Sequence, residues 1–130
     1  MTTKSTMRTP LKNVRHLGSA KEGADHFVMQ RMTGAANAVL GLFLVWLIAH
    51  LAGANWTTAR TELHNPFIAL GLLLLMVSGC IHMRLGMQVI IEDYIHGEGA
   101  KLALLALNTL FAILIGAASV FAILKLSFGA

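Results

Sequence analysis

Charge is what this chain most lacks. Asp, Glu, Lys and Arg together make up 12% of its 130 residues, about half of the ~25% found in a soluble globular domain. With 56% of the residues apolar and a mean hydropathy of +0.70, neither a soluble domain nor a disordered tail fits. Cysteine is nearly absent as well. The single Cys80 excludes a disulfide scaffold and a cysteine-cluster metal site. The chain has room for one domain at most. Acidic residues are outnumbered 6 to 10 by basic ones, but where the basic residues lie says more than their sum.

Six of the ten basic residues precede the first apolar run: Lys4, Arg8, Lys12, Arg15, Lys21 and Arg31. Residues 32–59, 63–83 and 102–124 then contain no Asp, Glu, Lys or Arg. About 20 predominantly apolar residues suffice to cross a bilayer as a helix. The pattern predicts an all-α membrane protein with three transmembrane helices, roughly 33–53, 67–92 and 102–125. Its organisation is a basic N-terminal segment, residues 1–32, followed by a three-helix domain, residues 33–126. The segment before the first span lacks the short hydrophobic region of a cleaved signal.

Basic residues mark cytoplasmic segments, so the N-terminus is expected inside and the C-terminus outside. Arg60 is the one basic residue of the first connection, residues 54–66, which agrees with its being external. The basic N-terminus therefore reads as a topology signal. No aromatic interleaving or nucleic-acid-binding motif accompanies it, so no nucleic-acid partner is expected.

All three spans carry small residues that permit close helix packing, among them Gly34, Gly41, Gly71, Gly79 and Gly116. The second span also carries polar groups: Ser78, His82, Arg84 and Gln88, then Glu92, Asp93 and Tyr94 at its inner end. Ionisable groups inside a membrane are costly and usually face protein, water or a cofactor. At 100° per residue His82, Gly86, Val89 and Asp93 share one helix face, which Ser78 and Gly79 extend by a turn. Arg84 lies on the opposite side.

The small residues around His82 leave room for a planar macrocycle, and imidazole is a common haem ligand. A histidine hydrogen-bonded to a neighbouring helix accounts for the same spacing. Were His82 a haem ligand, the second axial ligand would come from another chain, because His50 falls near the outer end of the first span. The topology brings Arg31, Asp93 and Tyr94 to the same membrane face. There Arg31 could reach lipid phosphate, Asp93, a haem propionate or a quinone carbonyl, and Tyr94 could belong to an aromatic belt or be oriented by the adjacent carboxylate.

The run His82-Met-Arg-Leu-Gly86-Met-Gln88-Val-Ile-Ile-Glu-Asp93-Tyr94 resembles the D-type hydrophobic membrane anchors of succinate dehydrogenase, respiratory complex II. That family has a histidine, a glycine four residues on, and an Asp-Tyr pair eleven and twelve residues on. Gln30-Arg31-Met32-Thr33-Gly34 is similar to the family's Arg-x-Thr-Ala entry into the first helix, with Gly34 where alanine is usual. The stretch from Arg8 to Ala20 resembles alphaproteobacterial members.

The resemblance implies a specific assembly. This chain would pair in the bacterial cytoplasmic membrane with a second three-helix anchor, the C-type or cytochrome b-type anchor of succinate dehydrogenase. The pair would hold an iron–sulfur subunit and a flavoprotein subunit on the inner face, with FAD and the iron–sulfur clusters confined to those partners. A haem b shared with the C-type anchor would take His82 as one axial ligand, and Gly86 and Ser78 would line the haem-facing surface. Arg31 would lie near the haem propionates or the quinone pocket. Tyr94, organised by Asp93, would hydrogen-bond ubiquinone. The rivals are the anchor of a fumarate reductase or another quinone-linked dehydrogenase, a haem-free assembly anchor, and a small transporter. A transporter often shows inverted repeats or broken helices, and neither is visible here.

Overall fold

The computed structural model describes residues 23–129. They form three long helices and one short one: α1 (Gly23–Leu51), α2 (Trp56–Leu63), α3 (Pro66–Tyr94) and α4 (Glu98–Phe128). The long helices contain 29, 29 and 31 residues, so each is at least about 43 Å long at 1.5 Å per residue. That exceeds the ~30 Å hydrocarbon thickness of a bilayer. All three are long and apolar enough to span it.

The helices outrun the apolar stretches that mark them. α1 begins ten residues before the expected span, because polar residues such as Asp25 and His26 continue the helix where the chain leaves the apolar layer. Its other end is closed by Gly53, whose φ of +83° lies in the left-handed region that a Cβ disfavours. Ala54 N donates to Leu51 O across this turn at 3.0 Å.

The expected loop 54–66 contains α2. Asn55 caps it, its Oδ1 accepting from Thr58 N at 2.9 Å. Asn65 repeats the device for α3, accepting from Phe67 N at 3.0 Å with Pro66 in the first turn. Pro is tolerated there because its missing N–H would have had no helical partner.

α3 is the central element and packs against both α1 and α4. Both pairings are antiparallel. Across α1–α3, Gln30 and Thr33 meet His82, and Phe43 meets Gly71. Across α3–α4, Lys101 Nζ donates to Glu92 O at 2.8 Å, Asn108 Nδ2 donates to Arg84 O at 2.9 Å, and Gly116 faces Cys80. At the far end of α4, His64 Nδ1 donates to Ser127 O at 2.9 Å.

No side chain among the described residues is completely buried, and large residues such as Leu42, Phe67, Leu102 and Phe121 are exposed. In water such a surface would aggregate. In lipid it is solvated, and close contact between helices then rests on van der Waals packing and interhelical hydrogen bonds.

Gly71 shows how tight that contact is. A Cβ there would come within 2.7 Å of Phe43 Cε1. Gly71→Ala is expected to force the Phe43 ring aside and lower stability by about 1–3 kcal/mol, the usual range for overpacking. A fall in the thermal midpoint of the detergent-solubilised protein would register it, and an unchanged midpoint would mean that the ring moves freely.

Candidate functional site between α1 and α3

Polar residues in α1 and α3 meet near one end of the bundle. His82, sixteen residues into α3, turns its ring towards α1. Its Nδ1 lies 3.1 Å from Thr33 Oγ1, and its Nε2 lies 3.5 Å from Gln30 Nε2. Thr33 is 8% exposed. Its hydroxyl reaches back one turn to Met29 O at 2.8 Å and Gln30 O at 3.2 Å, the usual resort of a threonine inside a helix. Ser78 Oγ donates to Thr33 O at 3.4 Å.

Glycines make this approach possible. A Cβ on Gly34 would lie 3.3 Å from His82 Cε1, and one on Gly86 would lie 3.3 Å from Gln30 Nε2. Gln30 Oε1 is buried and has no hydrogen-bond partner among the described residues. An orphaned buried acceptor is costly, and it marks a place where a polar group from outside the chain can be received.

Beside this cluster, towards the end where α1 begins and α3 ends, lies a cavity of about 380 Å³. Its walls are Gly23, His26, Phe27, Gln30 and Arg31 of α1 with Leu85 and Val89 of α3. The Arg31 guanidinium stands 5.0 Å over the Phe27 ring. Such stacking holds a cation in place by the ring quadrupole while leaving its N–H groups free to bind an anion or carbonyl oxygen.

The face on which the sequence places Ser78, His82, Gly86 and Val89 thus meets α1 at all four positions. Gly79, a turn back, lines a second cavity that α1, α3 and α4 share, with Asn37, Cys80 and Ile115. Asp93 and Tyr94 end α3 in the open, Tyr94 being 76% exposed. No ion pair joins Arg31 to Asp93 among the described residues. Arg84 faces away from His82, is exposed, and has no salt bridge among the described residues. His50 lies seventeen residues past Thr33, about 25 Å along the axis. It stacks on Trp46 and lies 4.0 Å from Glu62, remote from His82.

Sequence reasoning assigned no role to Gln30, Thr33 or His26. A signal for the first two was present. Gln30, Thr33 and Asn37 recur at helical spacing within an otherwise apolar span, and that pattern marks a polar stripe directed at a neighbour.

These features define a class: a small three-span membrane protein whose polar residues converge between two helices near one end of the bundle, with exposed groups left for partners. The sequence profile described as succinate dehydrogenase/fumarate reductase transmembrane subunit matches residues 5–123. A succinate dehydrogenase hydrophobic membrane anchor subunit of Rickettsia conorii is 35% identical over 82% of this chain and 85% of its own length. The protein of the same description from Paracoccus denitrificans is 30% identical over 94% of each chain. The succinate dehydrogenase membrane anchor subunit of Reclinomonas americana is 29% identical over 75% of this chain and 84% of its own. No solved structure is a significant match.

The chain belongs to the succinate dehydrogenase/fumarate reductase transmembrane subunit family. It is a membrane anchor subunit of succinate dehydrogenase, an oxidoreductase complex, and is not catalytic on its own.

Proposed function

We propose that this chain is the D-type anchor of succinate:ubiquinone oxidoreductase, sharing a haem b with a second, C-type anchor and contributing to the site where ubiquinone is reduced. The observation that carries this reading is the position of His82 at the α1–α3 crossing in a chain of this family. The Lys/Arg bias supports a cytoplasmic N-terminus and an external C-terminus in the bacterial cytoplasmic membrane. The flavoprotein and iron–sulfur subunits then dock on the inner face, and succinate is oxidised in the flavoprotein.

The residues present fit a haem. His82 would supply an imidazole, Gly34 keeps bulk away from it, Gly86 leaves room for Gln30 beside it, and the orphaned Gln30 Oε1 marks a polar cradle that the described residues do not complete. Ser78 contributes to the same surface by fixing the α1 backbone at Thr33. Arg31 would bind the propionates or the quinone edge, its guanidinium already held by Phe27. A bound haem b supplies a one-electron redox centre at this depth.

Ubiquinone reduction takes two electrons and two protons. Tyr94 donates its O–H to a quinone carbonyl oxygen, which gains negative charge as electrons arrive from the iron–sulfur subunit. A donor aimed where charge develops lowers the barrier. Asp93, beside it and open to water, orients the phenol and relays protons. Both residues stand at the end of α3, where a soluble partner can cover them. The exposed flank of Tyr94 would become the wall of a pocket completed by other subunits.

Co-expression with the genomic neighbours, purification and a dithionite-reduced minus oxidised spectrum test the reading. A b-type band together with succinate-dependent quinone reduction is expected. An assembled complex that lacks the band overturns the haem assignment, and one that reduces no quinone overturns the anchor's part in the quinone site.

A further inference from the structure

Thr33 sits in the middle of the cluster with its hydrogen already committed. Its Oγ1 is 2.8 Å from Met29 O and 3.2 Å from Gln30 O. Both are carbonyl oxygens, which only accept, so the single hydroxyl hydrogen points at them. The same Oγ1 is 3.1 Å from His82 Nδ1. With its hydrogen spent, the oxygen can only accept there, and Nδ1 must carry the proton. A neutral imidazole has one N–H, so Nε2 is left with its lone pair. The other contact agrees: the group 3.5 Å from Nε2 is the Gln30 amide nitrogen, a donor.

We propose that Thr33 is a positioning residue that selects the Nδ1–H tautomer of His82, aims its Nε2 lone pair at the metal position, and so sets the electron donation of that ligand. The inference rests on the reading of His82 as an axial ligand and adds to it the residue that prepares the ligand. The lone pair could not serve a metal and the Gln30 amide together, so Gln30, 3.5 Å from Nε2, would have to release it for a metal to be held there. A Nδ1–H that donates to an oxygen makes the imidazole a stronger base towards metal. A stronger base favours the ferric over the ferrous state and holds the midpoint potential down.

Ser78 has a supporting part. Its hydroxyl donates to Thr33 O, tying the α1 backbone at Thr33 to α3 four residues before His82. The threonine is therefore held from two sides, by its own helix and by the helix that carries the ligand.

Thr33→Val tests the proposal in the assembled four-subunit complex, because it keeps size and branching and replaces the hydroxyl with a methyl group. Haem retention is expected to fall about 10–100-fold, the usual cost of losing such an outer partner, measured by transfer to a haem-scavenging apoprotein. The haem that remains is expected to titrate at a more positive midpoint potential. Thr33→Ser, which restores the hydroxyl, should recover both. If Thr33→Val does not assemble, Thr33→Ala removes the same acceptor with less strain. Unchanged retention and potential in the apolar variants, while His82→Ala loses haem, overturns the role of Thr33 alone. Equal losses in Thr33→Ser and Thr33→Val show a packing role and also overturn it. A wild-type complex without haem overturns the ligand reading and this inference with it.

Discussion

His82→Ala is expected to leave an assembled complex with almost no b-type haem. The substitution removes the nitrogen that would bind iron, whereas loss of an outer partner only weakens the ligand, by about 10–100-fold. The effect should therefore exceed a hundredfold in haem retention. Assembly should survive. His82 meets α1 through two polar contacts, at 3.1 and 3.5 Å, whereas α1 and α3 also meet at Phe43 and Gly71, well away along the helices. The check is the ratio of haem to protein in the purified complex, read beside the difference spectrum. Full haem at normal potential in His82→Ala would assign both axial positions elsewhere and reduce His82 to an interhelical contact.

Tyr94→Phe is expected to separate two activities that are normally coupled. Quinone-dependent turnover should fall about tenfold or more, while succinate oxidation with an artificial dye stays unchanged. Losing one donor to a developing oxyanion costs roughly 10²–10³ in an enclosed site. Tyr94 ends α3 at its exposed tip, where water can replace part of the donation, so the lower end of the effect is expected. The phenyl ring preserves packing, which isolates the hydroxyl as the cause. Equal loss of both activities in an intact complex would place the fault in the soluble subunits' docking. No loss of either would return Tyr94 to the aromatic belt.

The three spans were legible because a bilayer imposes one coarse demand, about 20 apolar residues per crossing, and three uncharged stretches meet it. Helix ends were less legible. Hydropathy marks where lipid begins, whereas backbone hydrogen bonding decides where a helix stops, and α1 runs on through Asp25 and His26 to Gly23. α2 escaped notice although the signals that bracket it, its own N-cap Asn55 and the Asn65-Pro66 start of the next helix, stand in the sequence. Eight residues are too few for a periodicity argument.

In the site, helical periodicity was enough to group Ser78, His82, Gly86 and Val89, since a face of α3 is a local property at 100° per residue. It placed Arg84 opposite them for the same reason. It did not find what that face meets. The partners Gln30 and Thr33 are 52 and 49 positions away from His82, and nothing local in α3 specifies them.

The sequence by itself determined that the chain belongs in a membrane, that it carries three stretches long and apolar enough to cross one, and which side of the second carries the imidazole. These follow from transfer free energy and from a fixed helical period, both properties of short stretches. Only the tertiary structure decided that α3 lies between α1 and α4 and that the ring of His82 turns to Thr33. The same holds for the cavity that His26 and Arg31 line beside Leu85 and Val89. These depend on the register at which two antiparallel helices lock, and that register is set by glycines and bulky side chains far apart in the chain, such as Gly71 against Phe43 and Gly34 against His82. A shift of one turn, about 5.4 Å, would leave every span intact and part the histidine from its threonine.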